Sequence, residues 1–210
     1  MRLSPIERQK CARLAHNINE RFPLHPKIQE AFASVPRELF VPPGLTFHAY
    51  KLDALPIAAS QWISSPMTVA KMTHYLDPVG ADSVLEIGCG SGYQAAILSR
   101  IVRRVFSVER IDRLVREAKE RFAKLGIHNV HVRYADGMLG WREFAPYERI
   151  LFSAAVHEVP STIFEQLTED GILVAPIIQG SRQIITRFDK KGNAQELEEC
   201  YFIGSKRGVE

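Results

Sequence analysis

Val84-Leu85-Glu86-Ile87-Gly88-Cys89-Gly90-Ser91-Gly92-Tyr93 is the stretch that decides the fold. Ser83 to Ile87 is a short apolar run bounded by glycines, the pattern of a buried strand. The glycines behind it permit a tight turn and a close backbone approach to a ligand. Gln94 to Arg103 reads as the helix that this loop opens. A glycine loop between strand and helix also suits a dinucleotide. Two details count against that. The spacing is G-x-G-x-G followed by Tyr93, and Glu86 stands at the mouth of the strand, where its charge opposes a pyrophosphate. A ligand with an ammonium and a sulfonium but no phosphate suits the loop better: S-adenosylmethionine.

Working outward, Arg104 to Glu109 reads as a second strand and Asp112 to Leu125 as a helix, stopped by Gly126. Val130 to Tyr134 is a third strand, Tyr147 to Ala154 holds a fourth and Ile172 to Ile178 a fifth. Ile184–Phe188 and Cys200–Ile203 add antiparallel candidates. The alternation predicts an α/β fold with a doubly wound, mostly parallel sheet. Its ligand belongs beyond the carboxyl ends of the strands. Glu109 ends the second strand about 20 residues after the loop, where an acidic side chain can accept both ribose hydroxyls. Asp136-Gly137 follows the third strand, where a carboxylate can accept the exocyclic amine of adenine. Either acid alone also reads as a solvated strand end. In register with three successive strands they form one constellation.

Residues 1–78 read differently. Ser4-Pro5-Ile6-Glu7 is a capping-box pattern with proline at the first helical position, so a helix follows to Arg21. A second covers Lys27 to Ser34, and a third Thr68 to Leu76. Pro36 to Pro66 is rich in proline and reads as a long structured loop region, the kind that carries function. The chain thus divides into a helical and loop segment, 1–78, forming part of the acceptor site, and a core, 79–210, with C-terminal strands.

Composition excludes several classes. Lys and Arg number 27 against 24 Asp and Glu, a net charge of only +3. The basic pairs Arg103-Arg104, Lys190-Lys191 and Lys206-Arg207 are scattered, so no nucleic-acid partner is expected. Cys11, Cys89 and Cys200 lack C-x-x-C spacing, and His128 and His131 suggest no ligand pair, so neither metal nor disulfide is expected. Met1-Arg2-Leu3-Ser4-Pro5 lacks the apolar stretch of a secretory leader. No apolar run approaches the ~20 residues of a membrane span. A cytoplasmic protein with reduced thiols and no membrane partner is the reading.

The extended motif Val84–Ala96 resembles the cofactor motif of the protein-L-isoaspartate O-methyltransferases. Val35-Pro36-Arg37-Glu38-Leu39-Phe40-Val41-Pro42 resembles that family's N-terminal signature. Ala49-Tyr50, Leu55-Pro56-Ile57, Asp136-Gly137, Gly140-Trp141, Ala145-Pro146-Tyr147, Ala154-Ala155, Glu158-Val159-Pro160 and Gln183 are similar too. The resemblance runs from Arg8 to Phe188. It implies a Rossmann-like S-adenosylmethionine-dependent methyltransferase acting on the free carboxylate of isoaspartyl residues in aged proteins and peptides, as repair. In Gln61-Trp62-Ile63-Ser64-Ser65-Pro66, Ser64 matches the family's active-site serine, and Gln61 and Ile63 match as well. The cofactor-binding candidates are Ile63, Glu86, Gly88, Cys89, Gly90, Ser91, Gly92, Glu109, Arg110, Asp136 and Gly137.

Trp62 stands where the family carries threonine, Ala58-Ala59-Ser60 replaces a glycine-rich stretch, and Val156-His157 replaces alanine and proline. These departures bear on the acceptor, not the cofactor. They keep two alternatives open: a methyltransferase for a different acceptor, and a cofactor-binding adaptor without turnover. For an isoaspartyl acceptor no general base is needed, because a carboxylic acid with a pKa near ~4 is already ionised at neutral pH. Ser64 is then a hydrogen-bond donor that orients the carboxylate, and positioning supplies much of the rate.

Overall fold

Ser4 opens the first helix as its sequence requires. In the computed structural model, which describes residues 3–210, its hydroxyl accepts from the Glu7 amide and the Glu7 carboxylate accepts from the Ser4 amide. Met1 and Arg2, part of the leader reading, lie outside the described residues. Helix α1 (Pro5–Arg21) packs on α2 (Pro26–Ser34). The proline-rich stretch that follows is more ordered than a loop. It makes two 3-10 turns, Arg37–Phe40 and Pro43–His48, and an antiparallel pair, β1 (Leu55–Pro56) with β2 (Trp62–Ile63). Helix α3 (Pro66–Leu76) starts two residues before the expected Thr68. Pro66 occupies its first position, and the Ser65 hydroxyl accepts from the Thr68 amide.

The turn between β1 and β2 is strained. Ile57 donates to the Gln61 carbonyl across it, while Ala59 and Ser60 sit at φ 56° and 54°. Non-glycine residues pay for that left-handed backbone. Ala59→Gly should raise stability by about 0.5–1 kcal/mol, net of the added chain entropy of glycine. A lower urea midpoint for the variant would refute the strain.

Beyond α3 the chain runs β3 (Ser83–Ile87), α4 (Tyr93–Leu98), β4 (Arg104–Glu109), α5 (Asp112–Leu125), β5 (Val130–Tyr134) and β6 (Tyr147–Phe152). Then come α6 (Ser161–Phe164), β7 (Leu167–Gln179), β8 (Arg182–Phe188) and β9 (Ala194–Glu199). The seven-stranded sheet has the order β5-β4-β3-β6-β7-β8-β9. The first five are mutually parallel and β8 and β9 are antiparallel additions. This is the doubly wound α/β fold expected, with N-terminal helices.

Further expected boundaries fail, and β7 begins at Leu167, ahead of the expected Ile172. Helix α4 ends at Leu98, short of Arg103; the next residues form turns whose carbonyls, Ser99 and Val102, are taken by the Asn129 amide. The last strand is Ala194–Glu199, and Cys200–Ile203 leaves the sheet, with Ile203 accepting from the Ala155 amide.

Successive residues of β3 face opposite sides. Val84 joins one apolar cluster with Val105, Val132 and the buried faces of α1 to α5; Leu85 joins another with Phe106, Ile150 and Phe152. A parallel sheet buried on both faces needs such continuous apolar strands. No helix among the described residues is long and apolar enough to cross a membrane.

Candidate functional site

The strand order reverses between β3 and β6, which opens a crevice at their carboxyl ends. A cavity of about 580 Å³ lies there. The glycine loop forms one wall. Gly90 has φ 55°, and a Cβ there would meet nothing within 4 Å, so the loop presents bare backbone. Gly92 is shaped by its other side: a Cβ there would lie 2.8 Å from Phe122 Cζ, so α5 packs directly on the loop.

Glu86 is the innermost group. It is fully buried and held by two hydroxyls, Ser107 donating at 2.5 Å and Ser153 at 3.1 Å. Burial pushes its carboxyl up to about 8, against the pull of those hydroxyls. Its negative charge is therefore not standing at the strand mouth, as the sequence suggested. A carboxyl raised in this way holds its proton more tightly than a free one, and a cation beside it would favour the ionised form. The folded state then holds a proton that the unfolded chain has released above its ordinary value of 4.5. Stability of the ligand-free protein should fall as pH rises from about 4.5 to about 8. Urea midpoints at about pH 6 and about pH 8 test this, and Glu86→Gln should flatten the slope. A midpoint that rises over this interval would refute it.

Glu109 is 5% exposed and lies at the end of β4. One oxygen accepts from the Gly90 amide at 2.8 Å and the other from the Ile111 amide at 3.0 Å. The carboxylate thus ties the glycine loop to the start of α5, and each oxygen keeps a lone pair for a further donor. Asp136 is engaged otherwise. It accepts from the Met138 amide at 2.9 Å and the Gly208 amide at 2.8 Å, and it does not line the cavity, whereas Gly137 does. Arg110 lines the cavity and holds the same distant segment, donating to the Gly208 carbonyl and pairing with Glu210.

The opposite wall comes from β2 and the residues after it. Ile63 and Ser64 line the cavity, with Gln61 and Trp62. Trp62 is 54% exposed, so it packs little against the protein. His157 is exposed and does not line the cavity. Of the candidates, Ile63, Ser64, Glu86, Gly88, Cys89, Gly90, Ser91, Glu109, Arg110 and Gly137 share this one space; Gly92 and Asp136 stand behind it. Sequence reasoning missed the third wall, Cys200 to Lys206. It is held by Phe202 donating to the Gln183 side chain and Ser205 to the Ala155 carbonyl, contacts that no local pattern announces.

The cavity suits S-adenosylmethionine on its own chemistry. A buried carboxyl, exposed loop backbone and a second carboxylate with free lone pairs match an ammonium and a ribose. No group of three or more His, Cys, Asp or Glu is placed to hold a metal among the described residues.

Comparison with known proteins agrees. The sequence model of the protein-L-isoaspartate(D-aspartate) O-methyltransferase family matches residues 8–207. A protein-L-isoaspartate O-methyltransferase of Helicobacter pylori strain P12 is 54% identical over 201 residues, 94% of this chain and 96% of its own. That of Dictyoglomus thermophilum is 46% identical over 167 residues, 80% of this chain and 76% of its own. A solved protein-L-isoaspartate O-methyltransferase superposes with TM-score 0.84 at 32% identity, over 96% of this chain and 67% of that one. A Plasmodium falciparum structure in complex with S-adenosyl-L-homocysteine has the same fold, with TM-score 0.84 at 20% identity over 93% of this chain and 98% of that one. The match spans both the N-terminal helices and the sheet, and the chain belongs to the protein-L-isoaspartate(D-aspartate) O-methyltransferase family.

Proposed function

We propose that this chain is a protein-L-isoaspartate O-methyltransferase that methylates the free carboxylate of isoaspartyl residues in aged proteins, with S-adenosylmethionine as donor. The observation that carries the reading is one cavity with the glycine loop, Glu86 and Glu109 on one wall and Ser64 on the other. When bound, S-adenosylmethionine supplies an electrophilic methyl on a sulfonium. Glu86 meets the ammonium, Glu109 accepts the ribose hydroxyls, and the Gly88–Gly92 backbone admits the ligand closely. Ile63, Cys89, Ser91 and Arg110 complete the pocket, while Asp136 and Gly137 shape its adenine end. Ser64 donates to the acceptor carboxylate and aligns it. The carboxylate is ionised at neutral pH, so no residue need remove a proton. Residues 1–78 contribute the acceptor wall and 79–210 the donor wall. Aged proteins in the cytoplasm are the partners this reading supplies.

The test is methyl transfer from labelled donor to an isoaspartyl peptide and to its normal aspartyl counterpart, with calorimetry of S-adenosyl-L-homocysteine and NAD in parallel. Transfer to the isoaspartyl peptide alone is expected, with no NAD binding. Trp62, half exposed at the acceptor wall, favours a second reading, a different acceptor. Trp62→Thr separates the two. A gain on isoaspartyl peptide shows that the indole narrows the site. Product binding without transfer, before and after the substitution, supports another acceptor or an adaptor.

A further inference from the structure

Arg37 is fully buried, and no carboxylate lies within ion-pair distance of it among the described residues. Its guanidinium donates instead to three main-chain carbonyls: Nη1 to Ala49 at 2.7 Å, and Nη2 to Asp53 at 3.1 Å and Ser64 at 3.0 Å. Its Cζ lies 5.6 Å from the centre of the Tyr93 ring. Tyr93 begins α4 directly after the glycine loop. One planar group thus joins the segment carrying Ser64 to the residue that follows the loop. Nε has no hydrogen-bond partner among the described residues.

Three neutral carbonyls and a ring do not cancel a buried positive charge, and burying a cation without a counter-ion is costly. Burial pushes the Arg37 pKa down, with Tyr93 and Asp53 acting the other way. Clamping three loop segments does not by itself require a charge. A charge beside Ser64 is useful where an anion binds at that wall, and the proposed acceptor is a carboxylate.

We infer that Arg37 is a positioning residue for methyl transfer: it fixes Ser64 relative to the glycine loop and places a positive charge with no ion-pair partner behind the Ser64 wall, where its field reaches the acceptor carboxylate. The inference rests on the proposed reaction. Its two parts separate kinetically, because the fork sets alignment and the charge sets attraction.

Arg37→Lys keeps the charge and loses the fork. Its kcat on an isoaspartyl peptide should fall roughly tenfold, with KM within about threefold of wild type. Arg37→Gln keeps a donor and loses the charge. Its kcat should fall similarly and its KM should also rise about tenfold. Both should bind S-adenosyl-L-homocysteine within about threefold of wild type, since the donor wall is intact. Assays are run well below each melting midpoint; should Arg37→Gln not fold, Arg37→Lys carries the kcat arm. A purely structural Arg37 would lower the midpoint and leave kcat per folded molecule unchanged, and that result overturns the inference. So does equal KM in two folded variants. Wild type that binds product but never methylates the peptide overturns the reaction itself, and this inference with it.

Discussion

Glu109→Ala is expected to weaken S-adenosyl-L-homocysteine binding by about 3 kcal/mol, more than a hundredfold in Kd. Part of that loss is the charge-assisted bond to the ligand that we propose for this carboxylate, about 1–3 kcal/mol by itself. The rest comes from the loop. The Gly90 and Ile111 amides both donate to Glu109, so its removal frees the backbone that should meet the ligand. Glu109→Gln keeps one acceptor oxygen and the side-chain volume, so it should fall between alanine and wild type. Calorimetry on both variants decides the matter. An affinity that does not change in Glu109→Ala would remove this residue from the ribose role.

Ser64→Ala should slow transfer to an isoaspartyl peptide by roughly ten- to a thousandfold while product affinity stays near wild type. Ser64 lines the same cavity as the glycine loop, on the wall that we propose for the acceptor. Its main-chain carbonyl is held by Arg37, so the substitution should remove the hydroxyl without releasing the segment. A residual rate is expected because the acceptor arrives already ionised and the reaction loses alignment only. Complete loss of transfer would point to a covalent or proton-transfer role that the surroundings of Ser64 do not supply. Wild-type kinetics would place the orienting donor elsewhere. Product affinity measured alongside kcat and KM tells a damaged acceptor wall from a damaged fold.

Much of the frame is legible in short runs of sequence, for physical reasons. Strands β3 and β4 lie where apolar runs end in Glu or turn signals, because strands inside a parallel sheet need burial along their length; β5, an edge strand with only Val132 buried, shows instead in the alternation of Val with His and Arg. Helix α5 ends at Gly126, whose φ of 66° suits glycine. The last strand escaped detection. Ala194-Gln195-Glu196-Leu197-Glu198-Glu199 is an edge strand with charge on both sides, so its alternation carries no apolar signal. It is anchored by side chains from afar: Lys71 and Tyr75 on Glu198, Arg182 on Glu199. The site divides in the same way. The glycine loop, Glu109 and Ser64 share one cavity, and each stands in a contiguous motif. Asp136 is claimed by Gly208, 72 residues along the chain, and the Cys200–Lys206 wall depends on Ala155 and Gln183. Such pairings exist only after the chain closes. The depth of Glu86 was hidden likewise: a residue two places from a glycine turn looks solvent-facing until β4 and β6 cover it on both sides.

The shared apolar cluster has a consequence for how the molecule comes apart. Leu14, Ile18, Phe32 and Leu76 are buried in the same cluster as Val84, Val105 and Leu151 of the sheet. Neither half owns a complete interior. Cutting the chain near residue 78 would bare one face of the sheet and the inner sides of three helices together, so neither fragment would be a sound expression target. Melting should therefore follow a single calorimetric transition with matching van't Hoff enthalpy. The slowest amides of α1 should exchange with those of β3, through the same global opening.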